Sequence, residues 1–243
     1  MILTAMNESS SPVKVGLCLL TWNELEGCRQ DVPRLPCEIF DEVFAVDGGS
    51  QDGTAEYLEE CDIPVYPQTK PGYNAAYIEA FSRTASDFLI MFHPKGSIDP
   101  SAVVTCRDLA LKGYDLVIGS RNIAGAVNEE DSQLWRPRKW FVNGISLLTS
   151  LLFRRYGPHV WDVLHGFRGM RVDAFWKIEP LEKGLSIDLE MVARTYRLGL
   201  SRVEFPVTEK KRPVGTTHFT AFSTGKKLLA YLFHEWQRPL IRL

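Results

Sequence analysis

The chain reads as an α/β protein built on a mainly parallel sheet flanked by helices. Apolar runs of strand length alternate with helix-length segments through the first half, the pattern of βαβ units. Small turn motifs follow those runs where a strand gives way to a helix. The composition also suits a packed core, with 243 residues, 45% hydrophobic and 24% charged.

The strands expected are Lys14 to Leu20, Glu42 to Val46, Pro64 to Tyr66, Asp87 to Phe92 and Leu116 to Gly119. Helices are expected from about Leu25, Thr54, Tyr73 and Ser101. Asp52-Gly53-Thr54 and Asp99-Pro100 supply N-terminal signals for the second and fourth. Beyond Ser120 the pattern changes to a loop of Gly, Asn and acidic residues, Arg121 to Gln133, and then a basic and aromatic segment, Trp135 to Tyr156. This reads as an insertion over the functional edge of the sheet. Gly166 to Arg171 is strand-like, a helix is expected around Asp188 to Leu198, and Arg202 to Val207 is extended. The organisation expected is a loose tail over 1–12, one domain over 13–219 and a basic, aromatic helical tail over 220–243.

The net charge of −2 gives no global bias toward nucleic acid, so any anion site has to be built locally. Five cysteines (Cys18, Cys28, Cys37, Cys61 and Cys106) contain no C-x-x-C pair, which suits thiols in a reducing compartment. The first residues lack the basic start and long apolar core of a signal peptide. The longest nearly apolar stretch, Ile145 to Phe153, is far shorter than the roughly 20 residues a membrane-spanning helix needs.

Val46-Asp47-Gly48-Gly49-Ser50-Gln51-Asp52-Gly53-Thr54 follows a predicted strand and opens a helix. Alone, it is compatible with an ordinary strand-to-helix turn. Thr21-Trp22-Asn23-Glu24 ends the neighbouring strand, and together the two motifs resemble the T-x-N-E and V-D-x-G-S-x-D-G-T signatures of family 2 glycosyltransferases with the GT-A fold. Lys70-Pro71-Gly72-Tyr73-Asn74-Ala75-Ala76 is similar to the glycine-rich helix start of that family, and Gly119-Ser120-Arg121 to its G-S-R element. The branch resembled is that of dolichol-phosphate and other polyprenyl-phosphate mannosyltransferases. The resemblance runs on through Trp135, Asn143, Asp162, Gly166-Phe167-Arg168, Asp188-Leu189-Glu190-Met191, Glu204-x-Pro206-Val207 and Arg212-x-x-Gly215-x-Thr217-His218.

The resemblance implies transfer, with inversion, from a UDP- or GDP-linked sugar to a lipid phosphate. It places Glu24 at the ribose, Asp47 at the base and Trp22 beside the ring, with Thr21, Gly49, Gly72, His93, Ser97 and His218 also at the donor. The family often carries a second acid where this chain has Gly48, which leaves the base open.

One motif departs from the family. The strand ending at Phe92 runs into His93-Pro94-Lys95, where relatives carry an Asp-x-Asp pair that grips Mg or Mn. Charge building on the leaving diphosphate has to be stabilised in place. The expectation is that no metal is used, with Lys95 as the principal substitute and Arg121, Arg168 and Arg212 converging beside it. If the acceptor is instead a hydroxyl, Asp188 and Glu190 are the candidate bases; their other reading is as charges on a surface helix. A degenerate domain that binds nucleotide or a partner without turnover also remains open. Residues 135–156 and 223–238 carry apolar faces flanked by basic and aromatic residues, as an interfacial helix does, so a peripheral position on the cytoplasmic face of a membrane is expected.

Overall fold

A computed structural model of the chain describes residues 12–211 and 221–239. Seven strands form one sheet: β1 (Val15–Thr21), β2 (Glu42–Asp47), β3 (Val65–Pro67), β4 (Phe88–Phe92), β5 (Leu116–Ser120), β6 (Arg168–Arg171) and β7 (Arg202–Pro206). Their order is β3-β2-β1-β4-β6-β5-β7. Only β6 runs antiparallel, lying between β4 and β5. Every strand expected from sequence is present, with ends shifted by a residue or two.

Eight helices are described: α1 (Leu25–Asp31), α2 (Thr54–Glu60), α3 (Tyr73–Arg83), α4 (Ala102–Leu111), α5 (Pro137–Phe153), α6 (Val172–Lys177), α7 (Ile187–Leu198) and α8 (Ala221–Gln237). The period-2 alternation of the strands sends side chains to both faces of the sheet. On β1, Cys18 and Leu20 join one core with α3, α5, α6, α7 and α8. Val15, Leu17 and Leu19 join the other with α1, α2 and α4. Burial on both faces explains why the strands read as nearly continuous apolar runs.

Three sequence expectations are corrected. The helix expected around Asp188 is no surface helix, because α7 is buried along almost its whole length, with Glu190 fully enclosed. The described part of the expected tail, residues 221–239, is not set apart from the domain, since Leu228, Tyr231 and Leu232 of α8 lie in the core. Buried Glu235 accepts from Arg194 and Arg197 of α7, both pairs at 2.9 Å. Finally, α6 was not expected; it follows directly on β6 and stacks Phe175 on Phe81 of α3 with ring centroids 3.7 Å apart.

Cys18, Cys28 and Cys106 are buried and Cys37 and Cys61 half-buried, all as free thiols. Among the described residues no helix is long and apolar enough to cross a membrane.

Candidate active site

Ligand sites of open α/β sheets lie beyond the carboxyl ends of the strands. Here the ends of β1 and β2 stand side by side, with Thr21 in register with Asp47. The Asp47 carboxylate draws the following turn together. Its Oδ1 accepts from Thr21 Oγ1 at 2.9 Å and Ser50 Oγ at 2.6 Å, and its Oδ2 from the N–H groups of Gly49 at 2.9 Å and Ser50 at 2.7 Å. Four donors occupy the acceptor capacity of a carboxylate. Asp47 therefore buckles the turn, and the base contact implied by resemblance requires one of these donors to leave. Gly49 adopts φ +89°, where a side chain would be strained.

The first turn is tied to the second. Asn23 Oδ1 accepts from Gln51 N, Asn23 N donates to Ser50 Oγ, Asp52 Oδ2 accepts from Leu25 N, and Thr54 Oγ1 accepts from Glu24 N, at 2.8–3.0 Å. Asp52 thus serves the start of α1 as well as that of α2. Half-exposed Trp22 lies against Gly48, where an added Cβ would stand 3.3 Å from the Trp22 side chain. Half-buried Glu24 precedes the first residue of α1, and Gly72 opens α3 at φ +119°.

Beside this half, β4 ends at Phe92 and the His93-Pro94-Lys95 turn enters a cavity of about 790 Å³. Of the residues singled out in sequence, His93, Lys95, Ser97, Arg121 and Asp188 line it. Its outer wall comes from α5 and α8, with Arg138, Lys139 and Lys226 among the lining side chains. Thr21, Trp22, Glu24, Asp47, Gly49 and Gly72 lie outside this lining, at the adjoining strand and helix ends. Arg212 and His218 lie outside the described residues.

Arg121 follows β5 and is held in a fixed pose. Its Nε and Nη2 donate to both oxygens of Asp162 at 2.8 and 2.9 Å, and its Nη1 to Glu209 Oε2 at 3.0 Å. Burial opposes ionisation of Asp162, yet the adjacent guanidinium holds its carboxyl well below the usual range. Glu204 on β7 accepts from the N–H groups of Trp161 at 2.8 Å and Asp162 at 2.9 Å, orienting that carboxylate in turn. Burial, aided by Arg121, lowers His165 to about 4, so its ring is neutral near pH 7.

Arg168 does not join the cationic set. Its side chain is fully buried, donating from Nε to His165 O at 2.8 Å and from Nη1 to Asp188 O at 2.6 Å, with Nε 3.2 Å from Asp188 Oδ1. It is buried and is not among the residues that line the cavity. Asp188 also accepts from Tyr73 at 3.1 Å and Tyr77 at 3.2 Å. Burial beside Asp188 keeps both phenols protonated, while burial raises the Asp188 carboxyl against the pull of Arg168. Tyr73 Oη lies 3.4 Å from His93 Nε2, linking this network to the turn. Glu190 is removed from the candidate bases: it is fully buried and accepts from Asn74 Nδ2, Leu181 N and Ser186 Oγ at 2.5–2.9 Å.

Sequence reasoning missed His165, Glu209, Tyr77, the place of Lys226 in the cavity lining and the positioning work of Glu204. A usable signal for Glu209 was present, because β5 and β7 are parallel neighbours ending at Ser120 and Pro206. Opposite charges shortly after both ends, Arg121 and Glu209, are placed to meet.

The model of "Glycosyl transferase family 2" matches residues 22–179. An undecaprenyl-phosphate mannosyltransferase of Micrococcus luteus is 30% identical over 86% of this chain and 88% of its own length. The glycosyltransferase AglJ of Haloferax volcanii is 26% identical over 84% of this chain, which spans 66% of AglJ. Polyprenol monophosphomannose synthase of Mycolicibacterium smegmatis is 27% identical over 80% of this chain and 75% of its own length. In fold, glucosyl-3-phosphoglycerate synthase of Mycobacterium tuberculosis, solved with Mn2+, UDP and glucosyl-3-phosphoglycerate, superposes with a TM-score of 0.72 at 14% identity, over 97% of this chain and 88% of that one. With two signature turns laced at neighbouring strand ends, a cavity beside them and a family match over most of its length, the chain belongs to the family 2 glycosyltransferases and has their GT-A fold.

Proposed function

We propose that the chain moves a sugar, with inversion, from a nucleotide sugar to a polyprenyl phosphate, and that Lys95 takes the place of the divalent metal. The observation that carries this reading is the cavity itself. It reaches from the Lys95 turn to α5 and α8, whose apolar side chains continue outward from its mouth. Leu229 lines both the cavity and a second, apolar groove of about 300 Å³ between those helices, with Leu148, Leu152, Leu232, Phe233 and Trp236. Leu147, Leu151, Phe233 and Trp236 are more than half exposed, a face suited to lipid and flanked by Arg138, Lys139 and Lys226. The names of the mannosyltransferase relatives support an isoprenoid phosphate acceptor.

The residues at the metal position do not fit a divalent cation. An imidazole and an ammonium stand where two carboxylates are needed. Of the four acids lining the cavity, Glu209 is paired with Arg121, Asp188 with Arg168 and Glu129 with Arg138, while Glu130 accepts from Lys139 N at 3.1 Å. Among the described residues no three His, Cys, Asp or Glu side chains are grouped to hold a metal.

In the reaction, a phosphate oxygen of the acceptor attacks the anomeric carbon while the bond to the donor diphosphate breaks and its electron pair leaves with the nucleotide. A phosphomonoester has a second pKa near about 6, so the nucleophile is already ionised and no base is required. Lys95 stabilises the departing diphosphate, and Arg121, fixed by two carboxylates, presents the edge of its guanidinium. With Glu190 excluded, Asp188 is the one of those two candidate bases that lines the cavity.

The test measures transfer from a panel of UDP- and GDP-sugars to undecaprenyl phosphate, with and without chelator, and then with Lys95→Ala. Activity that survives chelator and falls at least tenfold in the variant is the expected result. Loss in chelator with recovery on adding Mg or Mn would sink the metal-free mechanism. An absence of transfer to any lipid phosphate would sink the acceptor.

A further inference from the structure

The turn carrying Lys95 is gripped from behind by α1. Gly27 and Asp31 lie four residues apart and so share one face of that helix. A Cβ added to Gly27 would stand 2.3 Å from Pro94 O and 2.8 Å from Lys95 Cα, closer than any side chain tolerates. One helical turn later, Asp31 Oδ2 accepts from Gly96 N at 2.8 Å, across 65 positions of sequence. Gly96 itself sits at φ +67°, the left-handed region that lets the chain turn back over the helix.

Asp31 is 1% exposed, at a depth where an acid is seldom found without a cationic partner. Its carboxylate accepts from a backbone N–H, and Arg34, the cation that acts on it electrostatically, is paired with Asp99 at 3.0 Å. Asp31 is absent from the cavity lining and from the hydrogen bonds that lace the nucleotide turns. Keeping a carboxylate at that depth costs free energy, and what it secures is the main chain at residues 95 and 96.

We infer that Gly27 and Asp31 form a seat for the His93-Pro94-Lys95 turn, with Asp31 a positioning residue that sets where the Lys95 ammonium stands in the cavity. The glycine lets the turn approach the helix, and the carboxylate fixes its rotation. The inference rests on the reading of Lys95 given above. It adds that a helix which begins at the nucleotide turn also controls the cation facing the leaving group.

The test uses the full chain and four variants: Asp31→Ala, Asp31→Asn, Gly27→Ala and Lys95→Ala. Amide hydrogen exchange over residues 93–97 reads the seat directly. Asp31→Ala and Gly27→Ala should speed exchange there, while Asp31→Asn, which keeps an acceptor oxygen, should stay near the parent. In turnover, the first two should lower kcat about tenfold to a hundredfold, as expected for a misplaced catalytic group, and change donor KM less than about twofold. Combined with Lys95→Ala, they should add little further loss, the signature of groups acting through one another. Unchanged exchange in both Asp31→Ala and Gly27→Ala would overturn the seat. Equal loss of kcat with and without Lys95 would overturn its link to that side chain. If Lys95→Ala alone turns over like the parent, the role of Lys95 fails, and exchange at 93–97 still decides whether the seat exists. Gly27→Ala leaves every charge in place, so it carries the test should Asp31→Ala not fold.

Discussion

The strand ends of this protein are built in two different ways. At β1 and β2, side chains and N–H groups 26 to 30 positions apart lace two turns together through uncharged donors. At β5, β6 and β7, guanidinium and carboxylate groups 20 to 88 positions apart are paired beside the cavity. The first construction holds a backbone shape, whereas the second holds fixed charges beside the cavity. Such preorganised charge costs stability in a protein and serves chemistry. Helix α1 joins the two, starting beside Glu24 and ending at Asp31 beneath the Lys95 turn.

The comparison can be broken most severely at Asp162. Asp162→Ala leaves the Arg121 side chain, only 17% exposed, without its bidentate partner, and should destabilise the fold by about 3–5 kcal/mol in urea unfolding. A loss below about 1 kcal/mol would mean that the cavity half is not held by its charges. Next in size is an effect that sharpens the link between the halves. Burial pushes the Asp31 carboxyl up to about 6, against the Gly96 N–H and Arg34. Because the folded value lies above the unfolded one, this group favours folding fully below about pH 4, and that contribution disappears as pH rises through about 6. Asp31→Asn should therefore lack a fall in stability of roughly 3 kcal/mol across that window. Parallel profiles for parent and variant would contradict the assignment.

A smaller effect comes from Asp47→Ala. It releases four donors at the carboxyl end of β2, where water can enter the turn and replace part of what is lost, so about 2 kcal/mol is expected. Nucleotide binding measured by calorimetry should fall with it, and retained affinity would show that the turn need not be buckled. The smallest expected change in stability comes from Leu151→Glu on α5, where the side chain is 83% exposed: within about 0.5 kcal/mol. The same substitution should weaken flotation with anionic liposomes, and unchanged flotation would remove this face from the membrane.

Much of the architecture was legible because it is local. Unbroken apolar runs such as Phe88 to Phe92 state burial on both faces, and turn residues state where each run stops. The turns after β1 and β2 were legible for the same reason, since Asp47, Asn23 and Asp52 make their hydrogen bonds within or between the two short motifs that contain them. Arg168 misled because a cation in a family motif reads as a phosphate ligand. Only its pairing on β6, opposite Met91 and Ile118, turns its side chain into the core beside Asp188. Helix α8 read as a tail for a similar reason: its apolar stripe does not say what covers it, and the buried partner of Glu235 is Arg194, 41 positions away.

The sequence by itself determined the strands, most of the helices and the basic His93-Pro94-Lys95 turn after β4, because each is a property of a short run of residues. Tertiary structure alone decided which charges face the cavity and which are spent on one another. Charge pairing depends on distances between segments far apart in the chain, and those distances exist only once the sheet has set its order. Thus Arg121 and Lys95 reach the cavity, while Arg168, Glu190 and Glu235 are buried and absent from its lining.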